Sequence, residues 1–261
     1  MLQRTFFSFV DLTDPSRHAE YNDWHLYDHR PENLALPGVA WGDRWARLVD
    51  SGDDPDRAGT ATEEYAGVDY VAMYWFREPL DQSIAEWFKL GSDSVQWGRG
   101  PAIPGVIRRL TAFFTPVRGY AAPRVLVSPD ILPYRPNRGL HVTLSRFEDP
   151  AGEAAHQQFR WYDRTRIPDL LEVPGVAGAW TFALADTLRR PPGSTTDNRE
   201  HDPGQLRLRV LYLDGDPESV TREIRLREKV WADAGRASRY SAAEEILFSA
   251  PVRTIVPFQD W

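Results

Sequence analysis

The sequence predicts an α+β chain in which one structural unit is used twice, and three observations lead there. Trp24, Pro31, Pro37-Gly38 and Val39 return as Trp161, Pro168, Pro174-Gly175 and Val176, each 137 positions later. A Trp-x6-Pro-x5-Pro-Gly-Val frame that repeats without slippage marks an internal duplication. Strand-like and helix-like stretches follow the order β-α-β-β-α-β in each half, the ferredoxin-like arrangement. Two polar loops, 50–66 and 187–204, fall at the same place in both halves.

Residues 4–11 alternate and are rich in aromatics, which reads as a strand. Asp14-Pro15-Ser16 opens a helix, with Asp14 as N-cap and Pro15 at the first helical position. That helix should run to about Tyr27 or His29. Pro31 disfavours helical geometry at Arg30, so the helix is expected to end there and leave His29 at its C-terminus. Pro37-Gly38 then turns the chain into a strand, 39–49. Val39, Trp41 and Trp45 share one face of it, and Ala40, Gly42 and Ala46 the other. A bulky face and a small face suggest a sheet covered on both sides, with space left on one.

A strand is expected over 68–77 and a helix over 81–96, where Ile84, Trp87 and Phe88 stand at helical spacing. Gly98, Gly100-Pro101 and Pro104-Gly105 break it before a strand over 106–117. Residues 118–137, with Pro123, Pro129, Pro133 and Pro136, read as a connector. The order then repeats: strand 139–147, helix 150–166, strand 176–185, strand 205–213, helix 217–234 and strand 245–256. The expected units are therefore 1–117 and 138–261.

A chain of 261 residues divides naturally into two such units, and ten tryptophans supply core material. A net charge of −7 argues against a nucleic-acid partner, which calls for a basic field. With no cysteine there is no disulfide, thiol nucleophile or thiolate metal site. The apolar run between Arg4 and Asp11 is too short for a signal peptide, and no later run approaches a membrane span. The expectation is a cytoplasmic protein without a membrane partner. There is no phosphate-binding Walker loop, dinucleotide glycine fingerprint or G-x-S-x-G elbow.

The chemistry concentrates in Trp24-His25-Leu26-Tyr27-Asp28-His29-Arg30-Pro31, which holds two of the six histidines. Four residues apart on a helix, both imidazoles face one way with Asp28 beside them. Such a pair suits acid–base work on a carbonyl-containing substrate. It also suits one metal ion, given a third ligand from Asp28, Glu32 or His141. The plain alternative is an exposed helix face whose ion pairs carry little energy. Tyr21, Trp24, Trp41, Trp87 and Trp97 can line an apolar pocket, or serve only as core, and Arg99 can hold a carboxylate or enolate. His141, Thr143 and Ser145 share a strand face in the second unit. The second unit carries Tyr162 and Arg166 where the first has His25 and His29, so the working site is expected in the first unit and a structural role in the second.

At Trp24-His25-x2-Asp28-His29-x-Pro31, followed by Leu36-Pro37-Gly38-Val39, the sequence resembles the dimeric α+β barrel superfamily, particularly its EthD-like members. That resemblance implies two ferredoxin-like units packed sheet to sheet into a barrel, here as an intramolecular pseudo-dimer, either monomeric or further dimerised. It implies a histidine ahead of x-Pro as the recurrent polar residue, the place His29 holds. The function expected is a cofactor-independent cyclase, isomerase, dehydratase or lyase acting on a small hydrophobic, carbonyl-bearing substrate. His29 is the expected base or acid, His25 its partner and Asp28 the orienting group, with no metal. The alternatives are a monooxygenase, cofactor-free or with haem or metal, and a non-catalytic carrier of an apolar ligand.

Overall fold

A computed structural model of the chain describes residues 3–47, 59–99, 103–188 and 200–257. Most of the two polar loops, 48–58 and 189–199, lies outside the described residues. The first unit comprises β1 (Arg4–Leu12), α1 (His18–Trp24), α2 (Arg30–Leu34), β2 (Val39–Ala46), a short β3 (Thr60–Ala61), β4 (Val68–Phe76), α3 (Leu80–Gln96) and β5 (Val106–Ala121). The second comprises β6 (Gly139–Arg146), α4 (Glu153–Trp161), α5 (Ile167–Leu171), β7 (Val176–Thr187), β8 (Leu206–Leu213), α6 (Pro217–Asp233) and β9 (Glu245–Thr254). Among the described residues no helix is long and apolar enough to cross a membrane.

The strands pair antiparallel in the order β2-β4-β1-β5-β7-β8-β6-β9, and β9 returns to β2. Each unit contributes four consecutive strands, and together the eight close into a barrel. Two seams join the halves. One runs between β5 and β7 from Ala112 to Ala121; the other pairs Trp45 with Thr254 and Ala46 with Arg253. The β5–β7 seam explains why β5 continues past the expected boundary at 117 into the segment expected to be connector. Its residues up to Ala121 are needed as ladder partners. β3, unforeseen in the sequence, extends the second seam by pairing Thr60 with Ser249 on β9.

The barrel interior is a largely apolar layer drawn from both units. Phe7 meets Phe182 at 5.1 Å between ring centroids, Phe9 meets Phe248 at 5.4 Å, and Trp75 meets Trp180 at 5.4 Å. All are buried, and such tilted and edge-on aromatic contacts add to the burial of apolar surface. The opposite faces of the sheet are covered by the helices. A β-bulge between Val39 and Trp41 overturns part of the expected facing of β2: Val39 packs on the helix side with Phe6 and Tyr74, and Ala40 joins Trp45 in the barrel interior. Gly42 on the small face has a specific reason: a Cβ there would stand 2.0 Å from the Tyr74 ring, which lies flat against the strand.

The expected helix break at Pro31 does not occur. Asp14 does cap the opening turn, accepting from the Ser16 N–H at 3.0 Å. The chain then stays helical from His18 to Leu34, with a π-turn over His25–His29 between α1 and α2. In that turn the Arg30 N–H reaches back five residues to the His25 carbonyl. The wider turn removes the clash between a proline ring and the carbonyl four residues earlier, and Pro31 has no N–H to leave unpaired. His29 therefore stands inside a helix and not at its C-terminus. The second unit repeats the device over Tyr162–Arg166, ahead of Pro168.

Candidate active site

The π-turn delivers both histidines to the interface between the helix and the sheet of the first unit. His25 is 3% exposed and sits among Tyr21, Trp24 and His29, with the two imidazoles 5.4 Å apart. The His29 side chain, 28% exposed, stacks on Trp24 at 4.5 Å and 20°. Asn33, one helical turn on, donates to the His29 carbonyl at 2.6 Å. Glu32 Oε1 stands 3.6 Å from His29 Nδ1 and accepts from Ser94 Oγ at 3.0 Å.

The carboxylate beside the histidines is thus Glu32, three residues after His29, and not Asp28. Asp28 is committed to Arg99, which also reaches Glu32 Oε2 at 2.9 Å. Arg99 works as a clasp between α3 and the π-turn, reinforced by Trp24 Nε1 donating to its carbonyl at 3.2 Å. The duplication preserves that clasp, since Trp161 Nε1 donates to the Arg236 carbonyl at 2.8 Å and Arg236 pairs with Asp169.

Of the aromatics expected to line the site, Tyr21 and Trp24 are there. Trp87 lies deeper, in a cluster with Phe6, Phe76 and Phe113 that touches the site through Tyr74. Trp41 is not brought to the histidines. It pairs with Trp75 on the barrel-facing side of β2, with Arg30 over its ring and Tyr134 beside it. Trp97 is 60% exposed past the end of α3.

Two site residues went unread in the sequence. Arg44 on β2 is buried opposite Ala72, its guanidinium 4.6 Å from the Tyr21 ring and 4.5 Å from that of Tyr70, and it donates to Asn22 Oδ1. Tyr74 on β4 faces His29 with ring centroids 6.5 Å apart. The signal for Arg44 was present: it is a lone charge between Gly42 and Ala46 on the small face of β2. Among the described residues, no group of three or more His, Asp or Glu is placed to hold a metal ion.

Burial pushes the His25 imidazole well below its ordinary value, and the Arg44 guanidinium adds to the effect. Burial also lowers His29, with Glu32 pulling the other way. His141 in the second unit is pushed down to about 4 by burial and by Arg225, Arg209 and Arg166. Each of these histidines releases its proton more readily folded than unfolded, so the unfolded chain binds more protons between the two values. Stability is therefore complete above about pH 6.5 and falls as pH drops below it; for His141 the loss continues down to about 4. Wild-type protein should lose up to about 3 kcal/mol to His141 across that window. A His141→Gln variant should show a flatter urea midpoint between pH 6.5 and 4, and equal slopes would refute the assignment.

No protein-family model and no curated protein matches the chain. Solved structures do. An anthrone oxidase-like protein superposes over 98% of this chain and 92% of its own, with TM-score 0.50 and 12% identity. A proposed monooxygenase from Fusobacterium nucleatum subsp. nucleatum covers 97% and 95% with TM-score 0.48 and 8% identity. A proposed chlorite dismutase covers 98% and 96% with TM-score 0.47 and 12% identity. The chain has the dimeric α+β barrel fold, with both halves of the barrel carried on one polypeptide.

Proposed function

We propose that the helix–sheet interface around His25 and His29 in the first unit is the active site of a cofactor-independent enzyme that moves a proton on a small hydrophobic, carbonyl-bearing substrate. One observation carries the reading. His25 Nδ1, Arg44 Nε and Nη1, and the Tyr74 hydroxyl are buried between this helix and the sheet without a hydrogen-bond partner. Leaving such groups unpaired costs about 1–3 kcal/mol each. Folds keep them where a ligand or water completes the set. The Arg44 guanidinium and Tyr74 hydroxyl are donors suited to a carbonyl oxygen that gains negative charge. Burial raises the Tyr74 phenol, so it remains protonated and able to donate.

His29, the more open imidazole, is the base: it takes a proton from the carbon beside the carbonyl, and the electron pair moves to the oxygen as an enolate. Glu32 stabilises the imidazolium so formed. His25, held neutral, fixes the His29 ring, while Asp28 and Arg99 close the rim beside Tyr21 and Trp24. Return of the proton to a different atom gives isomerisation, and collapse of the enolate with loss of a leaving group gives elimination. The resemblance to EthD-like proteins supports this class of chemistry.

Anthrone, the compound in the name of one structural neighbour, has a ketone and an acidic methylene on an apolar frame, which makes it a direct probe. Wild-type protein should accelerate deuterium uptake at that methylene in D2O without oxygen consumption above the blank. Tyr74→Phe should slow the exchange by about ten- to a hundredfold with no loss of thermal stability, because its hydroxyl has no protein partner to lose. Oxygen uptake in step with anthrone loss would replace this reading by the oxygenase one. Exchange at the background rate by folded wild type, with both anthrone and 1-tetralone, would end it.

A further inference from the structure

The second unit has a cavity of about 340 Å³ between its helices and sheet, where the first unit is packed with aromatic rings. The duplication shows how it arises. At the constant offset Trp87 becomes Ile224, Phe88 becomes Arg225 and Tyr74 becomes Leu211. On the neighbouring strand, Phe6 pairs with Tyr74 whereas His141 pairs with Leu211, so His141 takes the place of a phenylalanine. Large rings give way to smaller or thinner side chains, and the difference is space of the size that small ligands fill.

The charges around that space are internally balanced, and in the first unit they are not. There Arg44 on β2 lies opposite Ala72 on β4, with its Nε and Nη1 unpartnered. In the second unit the arginine has changed strands. Thr181 on β7 lies opposite Arg209 on β8, and Arg209 is paired with Glu244 at 2.8 Å. Arg166, in the place of His29, is paired with Glu228, and Arg225 is engaged within the chain. Each lining arginine therefore has an interaction of its own. A charged ligand would give up its hydration without a free counter-charge to meet, which disfavours it strongly.

What the cavity leaves open is uncharged. Thr221 on α6 is 2% exposed and lines the cavity, and its hydroxyl has no hydrogen-bond partner. Thr143 and Ser249 line the same space and bond to each other at 3.0 Å. Burial keeps the His141 imidazole neutral at pH 7, so it carries one N–H and one bare nitrogen. Ala179, Leu211 and Ile224 supply an apolar wall. Polar groups that both give and accept hydrogen bonds, set against an apolar wall, match a hydroxyl on an apolar body.

We infer that this cavity binds an uncharged alcohol or phenol, one hydroxyl on an aromatic or branched apolar frame, at a site separate from His25 and His29. The ligand hydroxyl supplies the partner that Thr221 lacks, and the frame rests against Ala179, Leu211 and Ile224. On this view the second unit has exchanged the proton-transfer pair for a neutral receptor, with Tyr162 and Arg166 tied to Glu244 and Glu228 where the first unit has its histidines.

The test is isothermal titration calorimetry of the full chain with 1-naphthalenemethanol, beside its charged analogue 1-naphthoate. Wild type should bind the alcohol once per chain, with an affinity that rising salt leaves unchanged, and bind naphthoate at least about tenfold less tightly. Thr221→Val keeps the shape and should weaken alcohol binding by about three- to tenfold. Ile224→Trp fills the cavity as Trp87 fills the first unit and should abolish binding, with circular dichroism confirming the fold. His29→Gln should leave it unchanged. Failure of folded wild type to bind the alcohol saturably would overturn the inference, and so would naphthoate binding as tightly as the alcohol. Binding that His29→Gln abolishes, and that Thr221→Val and Ile224→Trp leave intact, would overturn it too. The alcohol has no carbonyl to enolise, so loss of anthrone exchange alone would bear only on the first-unit site.

Discussion

His29→Gln is expected to lower turnover by roughly two to four orders of magnitude, the usual span for removing a general acid or base. Two features make the loss large. The ring is held flat on Trp24 and its carbonyl is tied by Asn33, so its position is set before substrate arrives. Its neighbours Arg44 and Tyr74 hold the complementary charge pattern and cannot supply a base themselves. Glutamine keeps the size and some hydrogen bonding, so the melting temperature should move little. His25→Gln should cost less turnover, because that ring contacts His29 from a closed position. Deuterium exchange into anthrone reads both variants. Wild-type exchange by folded His29→Gln would remove this histidine from the chemistry.

Glu244→Leu is expected to destabilise the protein by about 3–5 kcal/mol, the range for breaking a buried ion pair from one side. The Glu244 side chain is 3% exposed and accepts from four donors: Ser145 Oγ at 2.5 Å, Gln158 Nε2 at 2.7 Å, and Tyr162 Oη and Arg209 Nη1 at 2.8 Å each. Burial works against this carboxylate, yet Arg209 and the hydrogen bonds hold it below the usual value. Substitution by leucine leaves the buried Arg209 without its counter-charge and three further donors unpaired. Urea unfolding gives the number. Arg209→Met in the Glu244→Leu background should restore part of the loss, since no unpaired charge remains, and strict additivity of the two changes would show that they are not coupled.

The fold was legible because its strongest signals are local and repeated. The Pro-Gly turns, the strand alternation and the constant offset between Trp24 and Trp161 each need only a few residues of context. β3 and the tail of β5 were not legible, because both exist to pair with strands far away in sequence, Thr60 with Ser249 and Ala121 with Gly178. The π-turn inverted a sound local rule: Pro31 does forbid an ordinary α-turn there, and the chain answers by widening the helix instead of ending it. The candidate site was half legible. His25 and His29 announce themselves by spacing, whereas Arg44 and Tyr74 come from two other strands and meet them only after the sheet forms. Asp28 was adjacent in sequence but turned to Arg99 in space, and Glu32 took its place.

Both seams of the barrel join strands of a single polypeptide, and this alters the molecularity of its failure. A barrel assembled from separate subunits stands in a mass-action equilibrium with its parts, and dilution pulls it open. Here the partners of β5 and β7, and of β2 and β9, are tethered, so neither seam meets its match by diffusion. Separation is a first-order event whose extent does not depend on how many molecules are present. The tether also lifts the twofold constraint under which every change appears twice. A substitution such as His29 against Arg166 can then specialise one half without being imposed on the other.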